Sequence, residues 1–332
     1  MVSTSPNPNP GKLPPADVRT ALKEGMARLR IANVPSATLA AELLLMHVLG
    51  RDRAWIYAHP GESVEPAATE NFFELLARRA AGEPTQYLTG KQEFWGLEFE
   101  VTPAVLIPRP ETEHVIEVAL ERLGERGIKI DMRTGEPTPI LRFADVGTGS
   151  GCLAIALAHE LPHAEISATD ISGEALEIAR RNAARHGVAD RIHFFQTDLL
   201  QDLLDQARAP TVKSQRFDLI VSNPPYVALN DAEALPREVR DHEPPTALFG
   251  GATGIEMYDR LIGQAAELLA ERGILVLELG YNCADGVRAL LSRQRAWVNI
   301  SVTNDLAGIP RVIAAERIRD AQTTSDESRR PE

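Results

Sequence analysis

Apolar residues recur along this chain in two rhythms, and the change of rhythm divides it. Between about residues 16 and 81 they return at steps of three and four: Val18, Leu22, Met26 and Leu29, then Leu39, Leu43, Met46 and His47, then Phe72, Leu75 and Leu76. That is the spacing of one helix face, punctuated by Gly50 and the turn HPGES at 59–63, so a small helical bundle is expected. Phe94, Leu97, Phe99 and Val101, with Gly90 and Gly96, predict a short hairpin linking two domains, followed by a helix from Glu111 to about Arg126. After residue 140, short apolar runs alternate with amphipathic stretches. Strands are expected at Ile140–Val146, Ala164–Thr169, Ile192–Gln196, Phe217–Ser222 and Ile274–Leu279. Helices are expected at Cys152–Leu161, Gly173–His186 and Glu256–Glu271, the second with Ser172 as N-cap, an apolar stripe of Leu176, Ala179 and Ala183, and Gly187 as its stop. Such alternation predicts a mostly parallel sheet covered by helices. WVNISVT (297–303) and PRVIAAERI (310–318) are joined closely enough to pair antiparallel, which makes seven strands.

Composition adjusts this picture without changing it. The 332 residues suggest two domains. The expected division is a polar tail over 1–15, the helical bundle over 16–84, the hairpin linker over 85–108, the α/β domain over 109–317 and a second polar tail over 318–332. A hydrophobic content of 44% and a charged content of 25% are ordinary for a soluble globular protein. The net charge of −12 gives no general attraction for nucleic acid or anionic lipid, so neither DNA nor membrane is an expected partner. Two cysteines, Cys152 and Cys283, with no Cys-x-x-Cys pair, fit a reducing cytoplasm and leave no thiolate metal site. The first fifteen residues have neither a basic nor an apolar signal region, and AELLLMHVLG (41–50) is too short to span a bilayer.

The chemistry gathers where strands end. In FADVGTGSGCLAIALA (143–158), Gly147, Thr148, Gly149, Ser150 and Gly151 form a turn in which a ligand can approach the backbone and meet helix N–H groups. Asp170 closes the next strand, about where an acid accepts the hydroxyl protons of a ribose. The sixth position of the turn, where a dinucleotide fingerprint has Gly or Ala, is Cys152, which points to a single nucleoside. Asp145 reads equally as a support for the turn or as a plain strand-end acid. Asp198 and Leu199 end the third strand and could flank a base, the duller reading of Asp198 being a solvated loop acid.

RFDLIVSNPPYVAL (216–229) runs from a buried-type strand straight into Asn223, Pro224, Pro225 and Tyr226. The fourth strand should lie beside the first, so this motif borders the glycine turn at the switch point of the sheet. A planar amide or amine nitrogen is a poor nucleophile because its lone pair is delocalised. Accepting its two protons on the Asn223 side chain and the Pro224 carbonyl would aim that pair at an electrophile, and Tyr226 offers a flat face for packing. Asn-Pro also starts ordinary turns.

These residues together resemble the bacterial release factor glutamine methyltransferases, the HemK/PrmC family. The likeness is carried by GEPTQYLTGKQEFWGLEFEV, VLIPRPETE, DVGTGSGCLAIALA, SNPPYV and EPPTALFGGATGIEMYDRLI, and runs from about Asp17 to Arg317, interrupted near 127–139 and 205–215. It implies a Rossmann-like class I methyltransferase fold and S-adenosylmethionine as cofactor. In that reading Gly147 to Gly151 cradle the methionine part, Asp170 holds the ribose, Asp198 and Leu199 flank adenine, and Asn223, Pro224, Pro225 and Tyr226 bind the target amide. Arg109 and Glu111 shape the peptide entrance, Glu111 being alternatively a helix cap. The implied partners are class I peptide chain release factors, methylated on the glutamine of a Gly-Gly-Gln loop, with the bundle as their contact and the enzyme a monomer. The rival readings are an adenine-N6 DNA methyltransferase, a nicotinamide-dependent oxidoreductase with His242 as proton donor, and a binding module without activity.

Overall fold

The computed structural model describes residues 17–127, 140–209 and 216–318. The expected tails, except Ile318, and residues 128–139 and 210–215 of the two interruptions lie outside that set. The chain folds as two units.

The first unit comprises residues up to Gly90 together with Arg237–His242. It contains α1 (Val18–Ile31), α2 (Ala37–Leu49), α3 (Arg53–Ala58), α4 (Pro66–Ala80) and α5 (Thr85–Thr89). Polar side chains start two of them: Asp17 accepts from the Thr20 amide at 2.7 Å and Asp52 from the Trp55 amide at 2.7 Å. Gly50, at φ 60°, stops α2 in the left-handed region. Val18, Leu22 and Leu29 of α1 and Phe72, Leu75 and Leu76 of α4 bury the expected faces. The stripe expected on α2 is corrected. Its buried residues are Ala37, Ala40, Ala41, Leu44 and Leu45 with Glu42, which pairs with Arg53 at 2.9 Å, while Leu39 is 49% exposed and His47 is exposed. This helix is apolar nearly all round, so spacing alone does not select a face. Small alanines face α1 and α4 because they let the helices pack closely.

The second unit comprises Lys91–Pro236 and the chain from Glu243. It opens with the hairpin β1 (Lys91–Phe94) and β2 (Leu97–Glu100), a 3-10 turn at Pro110–Thr112, and α6 (Glu113–Glu125). Then follow β3 (Leu141–Val146), α7 (Cys152–Glu160), β4 (Ala164–Asp170), α8 (Gly173–Arg185), β5 (Ile192–Gln196), α9 (Gln201–Arg208), β6 (Phe217–Ser222) and the two-residue β7 (Val227–Ala228). The chain next makes α10 (Arg237–His242), which belongs to the helical unit, where its Glu238 pairs with the buried Arg79. It returns through α11 (Pro245–Leu248), β8 (Phe249–Gly251), α12 (Glu256–Leu268), β9 (Leu269–Glu278), α13 (Ala284–Arg293), β10 (Trp297–Asn304) and β11 (Pro310–Arg317).

The seven-stranded sheet has the order β10-β11-β9-β6-β3-β4-β5. β11 runs antiparallel to both β9 and β10, and the other neighbours are parallel, as the close connection of the last two runs predicts. Successive side chains of the central strands enter two cores. Phe143, Leu219, Val221, Ile274 and Val276 pack with α6, α7 and the hairpin, and Ala144, Val146, Ile220, Leu275 and Leu277 pack with α12 and α13. Burial on both faces is why these strands read as unbroken aliphatic runs.

One boundary differs from expectation. The helix expected over Glu256–Glu271 ends at Leu268, and β9 begins at Leu269. Phe217 lies opposite Leu269 but Leu219 opposite Ile274, so extra residues bulge out of β9, with Arg272 at φ 64° in the bend. The apolar pair Leu268-Leu269 carries no period that separates helix end from strand start.

Candidate active site

The first strand-to-helix junction is built by its glycines. Gly147, Gly149 and Gly151 have φ of 72°, 55° and 84°. The Gly147 and Thr148 amides both donate to the Thr169 carbonyl at 2.9 Å, locking the turn against β4. A side chain added at Gly147 or Gly149 would meet nothing within 4 Å, so the turn is open on its outer side. Gly151 plays a different part: a Cβ there would lie 3.0 Å from Ile155 and 3.2 Å from Ala179, so this glycine allows α7 and α8 to approach. The buried Asn182 of α8 donates to the Ser150 carbonyl at 2.9 Å and to the Glu100 carbonyl at 3.0 Å, holding the turn from behind. Its place in a helix interior gave no sequence signal for that role.

Two acids serve the turn. Asp145 is buried; its Oδ2 accepts from the Thr148 hydroxyl at 2.6 Å and the Ala154 amide at 3.1 Å. Burial pushes its carboxyl up to about 7 against the pull of those two bonds. Asp170 accepts from the Gly149 amide on Oδ2 and the Ser172 amide on Oδ1, each at 2.9 Å. Burial raises its pKa as well.

Asn223 follows β6 immediately. Its Nδ2 donates to the Thr112 hydroxyl at 3.1 Å, and Thr112 is itself buried at the start of α6. Pro224 is buried behind it. The Tyr226 ring packs against residue 280, where a Cβ would stand 2.6 Å from its Cδ2, so Gly280 is the seat of that ring. Burial raises the Tyr226 pKa, and the hydroxyl stays protonated. From the other side the glycine stretch 250–254 presses on the backbone of the motif. A Cβ at Gly250 would lie 2.4 Å from the Pro225 carbonyl oxygen, and β8 pairs with β7 alongside.

These groups share one cavity of about 330 Å³, within the range of small-ligand sites. Gly147, Thr148, Gly149, Ser150, Asp170, Asp198, Leu199, Asn223, Pro225 and Arg109 all line it. Gly151, Pro224 and Tyr226 support the wall from outside the lining. Asp198 is paired with Arg260 at 2.6 Å on the rim, and Leu199, at φ 55° and buried, faces the space between. Arg109 is paired with the buried Glu243, and Glu111 lies 4.0 Å from Arg311. His242 closes α10 in the helical unit and does not line the cavity. Sequence reasoning missed Thr112, Arg260 and the apolar wall of Val105 and Leu106. Thr112, Val105 and Leu106 lie in the stretch VLIPRPETE, where only Arg109 and Glu111 were given roles, and Arg260 is an ordinary helix-face arginine.

Among the described residues no helix is long and apolar enough to cross a membrane. Two family models match: the PrmC N-terminal domain over residues 20–90 and the methyltransferase small domain over residues 136–237. A release factor glutamine methyltransferase of Koribacter versatilis is 42% identical over 90% of this chain and 98% of its own. One from Nitratidesulfovibrio vulgaris is 41% identical over 93% and 98%. The solved catalytic domain of human METTL16 with an RNA hairpin matches 79% of this chain and 86% of its own, with a TM-score of 0.51 at 18% identity, a likeness of fold.

Proposed function

Since the chain belongs to the release factor glutamine methyltransferase family, we propose that it methylates the side-chain amide nitrogen (N5) of the glutamine in the Gly-Gly-Gln motif of peptide chain release factors, with S-adenosylmethionine as methyl donor. The observation that carries the reading is the placement of Asn223 in the same cavity as the open glycine turn, its amide anchored by Thr112.

The residues present fit that cofactor. An open backbone cradle at Gly147 and Gly149 suits an amino-acid moiety, and the Asp170 carboxylate, facing the cavity beside it, suits a pair of hydroxyls. Leu199 would pack against the base; Asp198 would reach its amine only in competition with Arg260. When bound, S-adenosylmethionine supplies an electrophilic methyl group on a sulfonium. The chain's own part is orientation. Asn223 Oδ1 accepts one proton of the substrate amide and the Pro224 carbonyl accepts the other, which turns the nitrogen lone pair toward the methyl donor. Tyr226 stays neutral and, seated on Gly280, fixes the backbone that presents both acceptors. No strong base is needed, since the methylated amide sheds its proton readily to water. The helical unit is the proposed release-factor contact.

Incubation with labelled cofactor and a release factor, followed by mass spectrometry of the glutamine-containing peptide, tests the reading. Methyl on any other atom would overturn it. Asn223→Ala should retain cofactor affinity and lower kcat by roughly 10²–10³, the scale of losing one preorganised polar contact.

A further inference from the structure

Behind the Asn223 amide stands a buried carboxylate that the mechanism above leaves idle. Ser222 is level with Leu277 in the parallel pair of β6 and β9, so Asn223 and Glu278 follow at the same height. Glu278 is 3% exposed and Thr112 is 2% exposed; the Thr112 hydroxyl accepts from the Asn223 amide at 3.1 Å, and it is also the polar side chain that most favours the ionised form of the Glu278 carboxylate. Glu278 Oε2 has no hydrogen-bond partner among the described residues. A buried acid so placed is costly to keep, which asks for a reason.

The reason lies in the hydroxyl between the two groups. A threonine hydroxyl donates one hydrogen bond and accepts others, so alone it suits either end of an asparagine amide. An ionised carboxylate only accepts. With Glu278 ionised, the Thr112 proton points at it, and the Thr112 oxygen is left to receive Asn223 Nδ2–H. Oδ1 then faces the cavity. With Glu278 protonated, the acid can donate to Thr112 and release the hydroxyl proton toward Asn223. The amide can then turn over and present NH₂, which cannot accept from a substrate amide.

We propose that Glu278, acting through Thr112, is a positioning residue that sets which end of the Asn223 amide faces the substrate. This rests on the reading of Asn223 as the substrate's acceptor. The charges around Glu278 are compatible with such a switch. Glu111 of the 3-10 turn repels its ionised form, whereas Arg109 ahead of that turn and Arg311 of β11 favour it. Tyr226 beyond β6, Tyr258 of α12 and Cys152 at the start of α7 complete the titratable surroundings; burial holds all three above their ordinary values, so they stay neutral. Burial, the largest influence, brings the Glu278 carboxyl to about 7.

The test is the pH profile of kcat from about pH 5.5 to 9, with saturating release factor and labelled S-adenosylmethionine. Wild type should lose activity below a midpoint near 7. In Glu278→Gln, whose side-chain oxygen still accepts from Thr112, that acid limb should disappear. Thr112→Val should lower kcat about tenfold or more at pH 8 and also lack the limb, whereas Thr112→Ser should restore both rate and profile, which keeps the test alive if the Glu278 variant folds poorly. An acid limb unchanged in Glu278→Gln or Thr112→Val, or absent from wild type, overturns the proposal. Asn223→Ala run alongside separates the failures. Loss of turnover there with unchanged profiles in the other variants sinks only the relay, and full turnover there sinks the orientation reading itself.

Discussion

Gly254→Ala offers the sharpest test of how the asparagine motif is held, because the clash it creates is with backbone. Gly254 has φ 84°, and a Cβ built on it would stand 2.3 Å from the Tyr226 carbonyl oxygen and 3.3 Å from the Ala228 nitrogen. A carbon-oxygen contact cannot close much below ~3.0 Å, so one backbone must retreat by about 0.7 Å (3.0 less 2.3). A carbonyl oxygen in a paired segment cannot swing aside as a side-chain tip would. The left-handed φ adds about 1–2 kcal/mol for a residue with a Cβ. In a chain of 332 residues ~2 kcal/mol corresponds to a fall in Tm of roughly 3 °C. The larger effect falls on turnover. Displacing the segment that carries Asn223, Pro224 and Tyr226 by most of an ångström should lower kcat by roughly 10–10², the scale of a misplaced catalytic group. Cofactor affinity should change by less than about threefold, since the glycine turn and Asp170 are held by β4 and α8 instead. Steady-state methylation of a release factor, with calorimetry of cofactor binding, reads both quantities. Gly263→Ala on α12 is the control: a Cβ there meets nothing within 4 Å, and alanine favours the helix by up to about 1 kcal/mol. Wild-type turnover in a folded Gly254→Ala variant would refute the idea that the 250–254 stretch holds the motif in register.

Asp170→Ala should weaken cofactor binding by about tenfold or more, because it removes the proposed hydroxyl acceptor and also frees the Gly149 and Ser172 amides; calorimetry giving an unchanged Kd would remove the assignment. Ser172→Ala deletes the cap of α8, whose Oγ accepts from the Ala175 amide at 3.1 Å, and should cost about 1 kcal/mol in urea unfolding with little change in turnover. Glu278→Gln should alter how stability depends on pH. The folded pKa of about 7 exceeds the ordinary 4.5, so the native state holds a proton the unfolded state has lost, and stability falls as pH rises between those values, by at most roughly 3 kcal/mol from this group. Asp145 is raised in the same way, so unfolding at pH 5 and pH 8 should show the wild-type slope reduced but not abolished in Glu278→Gln; an identical slope would contradict the burial argument.

What was legible in the sequence is what a buried parallel sheet imposes. FADV, DLIVS and ILVLE are short aliphatic runs ended by polar residues, and each became a strand, the first two running into residues that line the cavity. The glycines of the first turn were legible because only a residue without a Cβ adopts φ near +60° without strain. Other parts left weaker traces. The face of α2 was misread because a helix apolar on all sides has no face to read. Helix α13, over Ala284–Arg293, went unassigned between two strand signals, although Val287, Leu290 and Leu291 lie at helical spacing. Thr112 stood inside the stretch VLIPRPETE, but its role could not be read there, since its importance is a contact across 111 positions of chain. Glu278 did leave a signal: it ends an apolar run as Asp170 does, and the same reasoning applied to ILVLELG would have placed an acid at the sheet's edge.

That edge explains why the amide site sits where it does. The sheet runs outward from β3 through β4 to β5, then restarts beside β3 with β6, so the connections after β3 and β6 diverge and leave a crevice between their ends. One wall is a loop of glycines open to a ligand, and the other must present rigid acceptors without side-chain bulk. Prolines meet the second need, because each fixes its own φ and donates no N–H. They cannot join a sheet ladder, so their rigidity has to come from neighbours. Here it comes from Gly250 and Gly254 against the carbonyls of Pro225 and Tyr226, from Gly280 under the Tyr226 ring, and from Thr112 on the Asn223 amide. Three of these four neighbours are glycines for a steric reason: any Cβ would occupy the space the motif itself fills. The asparagine motif is therefore only the exposed end of a larger packed object, and substitutions at 112, 250, 254 or 280 should lower turnover through the motif, by less than Asn223→Ala itself.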